Sequence, residues 1–227
     1  ERAAKDRPVY VAGAVSNFGM LTGITEDQQR NKIIDRFSRL YSPTIGSGFV
    51  MDYLGQTGLD SLAAADILKV APEKYSSNVE YADNPIAQSL RSAAQVMFAD
   101  LGTRIYYTQH GSFDTHSGEL ASHAKLWDEV SGAVGDFYDD LKEHGREDDA
   151  IIFIFSEFGR RIRDNGSGTD HGSGGVAFVI GGNVKGGMYG EYPSLKEEDQ
   201  LEGDLHFNND FRSSYSTILE RWLDIQA

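Results

Sequence analysis

Apolar residues recur every three or four positions from Leu120 to Leu141, through Ala124, Trp127, Val130, Val134 and Phe137 or Tyr138, which is the spacing of a helix with one buried face. The spacing predicts a long helix that ends near Gly145. Two continuous apolar runs of strand length follow it, "AIIFIFS" at 150–156 and "VAFVIGG" at 176–182, and such runs suit strands buried on both faces of a parallel sheet. Ahead of the helix, "RIYYT" at 104–108 reads as another strand. Strand, helix and strand make a βαβ unit with a right-handed crossover, so the expected fold is α/β around a mainly parallel sheet.

The rest of the chain adds a strand over "RPVYVAGAV" (7–15) and helices at 25–41, 57–71, 86–102 and 208–225. Thr25 and Gln28 form a capping box at the start of the first helix, and Leu59, Leu62 and Leu68 are apolar positions of the second. Gly102 is the expected stop of the third, and Asn209 or Asp210 the cap of the last, where Trp222 and Leu223 are core candidates. The glycine-rich "VKGGMYG" lacks P-loop spacing and an adjoining helix, and reads as a turn.

A chain of 227 residues, 40 % hydrophobic and 25 % charged, is expected to form one α/β domain over 1–227. No run of apolar residues is long enough to span a bilayer, and "ERAAKDRPVY" has no apolar core of the secretory kind. The net charge of -14 argues against a general nucleic-acid binder, the densest basic cluster being Arg160, Arg161 and Arg163. Cysteine is absent, so any metal must be held by His, Asp, Glu, backbone or water.

Ligands of parallel sheets bind beyond the carboxyl ends of the strands, and three loops put chemistry there. "FDTH" sets Asp114 and His116 two residues apart, a nitrogen and oxygen pair suited to zinc, manganese or iron, although Asp114 can equally cap the helix that follows. Glu157 in "SEFGRR" is a ligand, a general base or the ion-pair partner of Arg160 or Arg161. "GTDHGSGG" holds Asp170 and His171 between glycines that permit close backbone approach. His110 lines the same crevice, His123 supports the ligands from the helix, His144 sits at the helix end where the dipole favours its charged form, and His206 carries no signal.

The stretches "NPIAQSLRSAAQVMFADLGTRIYYTQHGSFDTHSGELASHAKLWDEVSGAVGDFYDDLK", "SEFGRRIRDNGSGTDHGSGGVAFVIGGNVKGGMYG" and "DFRSSYSTILERWL" closely resemble the bacterial DUF1501 family, a branch of the alkaline phosphatase and sulfatase superfamily. The likeness runs from about Tyr81 onward. It implies a three-layer, alkaline phosphatase-like sandwich with one or two divalent metals, zinc first and manganese, iron or calcium as alternatives. Asp114, His116 and His171 look like the ligands of one metal. Glu157 and Phe158 fall where many members carry an Asp-His pair for a second; Glu can replace Asp but Phe cannot ligate, which leaves Asp170 or a water to fill the gap. The family's Gly-Gly-x-Asp-Gly motif is missing, Ser16 and Thr22 lack an acidic partner, and no cysteine can supply a formylglycine. A chain carrying the C-terminal portion of the fold is therefore expected.

The resemblance implies an exported, metal-dependent hydrolase of small phosphate or sulfate esters. Glu157 serves as base, and Arg160 or Arg161 clamps the anion. Its rivals are a noncatalytic metal-stabilised scaffold and a metal-free polar network of Asp114, Glu157 and Asp170 with the arginines.

Overall fold

The computed structural model describes residues 46–57 and 71–225, together with Lys32, Asp35, Arg36, Arg39 and Leu40. The strand expected at 7–15, Ser16, Thr22, Thr25, Gln28 and nearly all of the helix expected at 57–71 lie outside these residues. The five isolated positions are helical, as expected for 25–41, and Arg39 pairs with Asp35 one turn away at 3.0 Å. The chain divides into two compact units, one ending at Gln109 and one beginning at His110.

In the first unit, helix α1 (Pro85–Phe98) begins where Asn84 accepts the Ala87 amide at 2.9 Å, with Pro85 occupying a first-turn position that needs no N–H partner. Its apolar side, including Ile86, Ala87, Leu90, Ala93 and Ala94, is buried. The helix stops at Ala99 rather than at Gly102, because Asp100 already adopts left-handed backbone with φ 52°. Val96 and Ala99 bury against Ala71, with Leu101 and Tyr106 packed on them. The strand expected at 104–108 reduces to bridge geometry at Tyr106 alone. Residues 49–57 are helical as well, ahead of the helix expected at 57–71.

The second unit holds helix α2 (Glu119–Glu143), strands β1 (Ile152–Ile154), β2 (Gly159–Asp164), β3 (Thr169–Gly172) and β4 (Phe178–Ile180), and helix α3 (Phe211–Thr217). Helix α2 closes as expected, with His144 as cap and Gly145 at φ 63°. Its buried stripe is Leu126, Val130, Ala133, Phe137, Asp140 and Leu141, rotated from the expected one: Leu120 is 96 % exposed and Ala124 is also exposed. Helix α3 begins at Asp210, whose carboxylate accepts the Arg212 amide at 2.9 Å, and runs on into a wider turn at Ile218–Trp222 that leaves Leu223 buried.

The expected parallel sheet is not what these strands form. β1 pairs antiparallel with β4, with Phe153 opposite Val179, and β2 pairs antiparallel with β3; no parallel pair occurs among the described residues. The cause lies in the connection. A parallel return needs a crossover, usually a helix, whereas here the chain between β1 and β4 is taken up by the β2–β3 hairpin and comes back at the end it left. The described residues form a mixed α/β arrangement with two small antiparallel sheets, and show no three-layer sandwich. Aromatic contacts join sheet to helices: Trp127 of α2 meets Phe178 of β4 edge-on at 5.5 Å, and Tyr215 of α3 meets Phe153 of β1 at 5.7 Å. No helix among the described residues is long and apolar enough to cross a membrane.

Candidate metal centre

The site is assembled from one loop and one hairpin of the second unit. In the loop before α2, Phe113 is held edge-on by His110, His123 and Trp127 at 5.5–6.0 Å. His110 Nε2 lies 3.0 Å from Glu129, and His123 accepts the Trp127 indole N–H at 3.0 Å. His110 and His123 thus support the segment through Phe113, with no hydrogen bond to Asp114, His116 or His171 among the described residues.

The hairpin owes its turn to "DNGSG". Asn165 Oδ1 accepts the amides of Ser167 and Gly168 at 3.1 and 2.9 Å, while Gly166 takes φ 95° and donates to Asp164. This turn docks on the loop. Thr169 N donates to Thr115 O at 3.3 Å, Asn165 Nδ2 to His116 O at 3.0 Å, Gly118 N to Ser167 Oγ at 3.2 Å, and the Thr169 hydroxyl to Glu119 at 2.7 Å. Gly168 lies directly against the Thr115 and His116 backbone, where a Cβ has no room.

Docking brings Asp114, His116 and His171 together, so that one donor atom of each lies within 4.8 Å of the others. Asp114 Oδ1 is 2.7 Å from His171 Nε2 and 3.0 Å from His116 Nε2, and the two imidazoles stack at 5.0 Å. The other nitrogen of His116, Nδ1, faces Asp170 Oδ1 at 3.0 Å. Both carboxyls titrate below the usual range: Asp114 chiefly through its hydrogen bond with His171, Asp170 chiefly through those with His116 and Asn165. The cluster is open, with the Asp114 and Asp170 side chains 57 % and 54 % exposed.

Other expected members take different places. Asp170 bonds His116 Nδ1 rather than joining the trio. Glu157 is exposed and pairs with neither the trio nor an arginine among the described residues, so the structure brings it into neither the ligand set nor an ion pair. Arg160 is no free anion clamp, because its amino groups are taken by Thr169 O at 2.5 Å and Phe113 O at 2.6 Å. Arg161 is exposed and donates to His171 O at 3.3 Å. Phe158, which cannot ligate, lies flat on the His171 ring at 4.2 Å. Asp114 and Asp170 are open rather than buried and bond histidines, with Arg160 3.7 Å from Asp114.

A second cluster, Asp140, Glu143 and His144, closes the last turn of α2, with Asp140 fully buried and His144 Nδ1 at 3.1 Å from it. Sequence reading missed Asn165, which bonds both His116 O and Asp170; the Asn-Gly pair between two extended segments is a hairpin signal that points to it.

No curated protein matches the chain, and no solved structure does. One family model matches, over residues 51–214, well over half of the 227, and its description is "Protein of unknown function (DUF1501)". The chain belongs to the DUF1501 family.

Proposed function

We propose that Asp114, His116 and His171 hold a divalent metal, zinc first, and that the site serves hydrolysis of phosphate or sulfate esters. The observation that carries the metal is the double carboxylate bracket on His116. A neutral imidazole donates one proton, and Asp170 at Nδ1 takes it. The Nε2 lone pair then faces Asp114 Oδ1 at 3.0 Å, two acceptors toward each other, a gap that a second ring proton or a bound cation fills. The same carboxylate faces His171 Nε2, so one cation answers both. Zinc at about 2.0–2.1 Å from each donor sets them roughly 3.3 Å apart, an opening of about half an ångström.

Hydrolysis is supported by the donor count. Three protein ligands leave a coordination position for water or substrate, whereas structural zinc is closed by four. Metal bound there supplies a Lewis acid and a water of lowered pKa. The chain's own contribution is to orient the ligands through Asp170 and to leave them open to solvent. Export of the protein belongs to the same proposal.

A noncatalytic metal-stabilised scaffold is the second reading, favoured by Phe158, which stacks on His171 and offers no ligating atom.

Metal analysis of chelator-free protein beside His116→Ala and His171→Ala tests the first step. About one equivalent of zinc, lost in both variants, supports the site; absence of metal from wild type with intact folding overturns it. Turnover of 4-nitrophenyl phosphate or sulfate by the zinc form, abolished in the same variants, separates hydrolase from scaffold.

A further inference from the structure

We infer that Arg160 is the positioning residue of this centre: its guanidinium sets the spacing between the loop that carries Asp114 and His116 and the strand that carries His171. The inference rests on the metal reading above. One amino group donates to Thr169 O, the carbonyl just ahead of Asp170 and His171; the other donates to Phe113 O, the carbonyl just ahead of Asp114, and reaches Thr115 Oγ1 at 3.4 Å. One branch therefore ends one residue before Asp114 and the other two residues before His171. Arg160 itself is fixed by its backbone, which exchanges both bonds with Gly174 at 2.7 and 2.9 Å, and it stands opposite His171 in the β2–β3 register.

A second route leads through the rings. The guanidinium carbon lies 4.7 Å over Phe158, Phe158 lies parallel to His171 at 4.2 Å and 9°, and His171 stacks on His116. Phe158 thus becomes the wall that fixes the plane of one imidazole, with Arg160 holding the wall. The charge is also 3.7 Å from Asp114 Oδ1, too far to hydrogen-bond it.

The chemistry selects arginine. A planar fork spans two carbonyls and stacks on a ring at once, whereas an ammonium is a single point. Loss of the fork does not by itself release the loop, because the Thr169 to Thr115 and Asn165 to His116 bonds remain. The ligand spacing relaxes while the unit stays folded.

The experiment compares wild type, Arg160→Lys and Arg160→Gln by zinc competition titration and by the visible spectrum of the cobalt(II) form, with far-ultraviolet circular dichroism of each metal-free chain. Zinc binding weaker by roughly 10- to 100-fold in both variants is expected, the range found for partners that orient metal ligands. The cobalt band should change in position or intensity at saturation, the dichroism should be unchanged, and lysine should not rescue. Wild-type affinity and spectrum in either variant overturn the role of Arg160 alone. Loss of the dichroism in both variants assigns Arg160 to the fold and overturns it too. A wild-type chain that takes up neither zinc nor cobalt overturns the metal reading, and the role of Arg160 with it.

Discussion

Replacing Gly168 with alanine tests the docking of hairpin on loop with the smallest possible change. The residue is buried, and its φ is not in the left-handed region, so a methyl group adds volume without backbone strain. An ideal Cβ overlaps the Thr115 carbonyl oxygen and comes within 2.7 Å of the His116 carbonyl carbon and 2.8 Å of its oxygen. Ordinary carbon contacts begin near 3.5 Å, so the hairpin and the loop must part by about 0.7 Å or more. All the obstructing atoms are backbone, which cannot swing aside as a side chain would. Overpacking of this kind costs about 1–3 kcal/mol. The same displacement carries His116 well beyond the roughly 0.2 Å within which metal–ligand distances hold. Gly168→Ala should therefore lower the thermal midpoint by a few degrees, to about 10 °C at most, and weaken zinc binding by at least tenfold. Differential scanning fluorimetry and chelator competition read the two. Wild-type values in both would refute the account of the docked turn, whatever the fate of the metal.

Asp170→Asn keeps the size of the side chain but removes the negative charge from His116 Nδ1, 3.0 Å away, and should weaken zinc binding roughly 10- to 100-fold, read by the same titration. The Asp210 carboxyl is lowered to about 2, first by the Arg212 side chain and then by its amide. Because the folded value is depressed, its contribution to holding the start of α3 is present above the ordinary carboxylate pKa of about 3.9 and is lost as pH falls toward 2. Carboxyl carbon NMR should give a midpoint near 2 in wild type and a higher one in Arg212→Ala, where only the amide bond remains to lower it. Gly132→Ala lies mid-helix in α2 with nothing within 4 Å of the added methyl, and should stabilise by about 0.5–1 kcal/mol in denaturant titration, the opposite sign to Gly168→Ala.

What the sequence disclosed and what it withheld divide along the range of the forces involved. The C-terminal end of α2 is a local matter of a glycine stop and was legible, whereas its start at Gly118, which carries no side-chain cap, was not. Which face of α2 is buried depends on what packs against it, so Leu120 and Ala124 lie exposed while Leu126 and Ala133 are buried. The two apolar runs became β1 and β4, but an apolar run does not state the direction of its partner, and the hairpin between them set it as antiparallel. Asp114, His116 and His171 were legible because imidazole and carboxylate beside glycines are few in this chain. The roles of Asp170, Arg160 and Phe158 depend on register: β2 carries three residues between Arg160 and Asp164 where β3 has only Asp170, and that bulge decides which side chain meets which.

The Asp114–His171 contact closes a loop of chain 57 residues around, with all of α2 and β1 inside it. Closing so long a loop carries a large entropic cost, which no local propensity offsets. The cluster is thus expected to form after α2 during folding and to open before it, leaving the helix intact. A cation held there would act on the chain much as a disulfide acts in a protein with cysteines, as a reversible crosslink whose strength rises with the free metal concentration. A chain with no thiols would then have its resistance to unfolding set by the metal content of its surroundings rather than by their redox state.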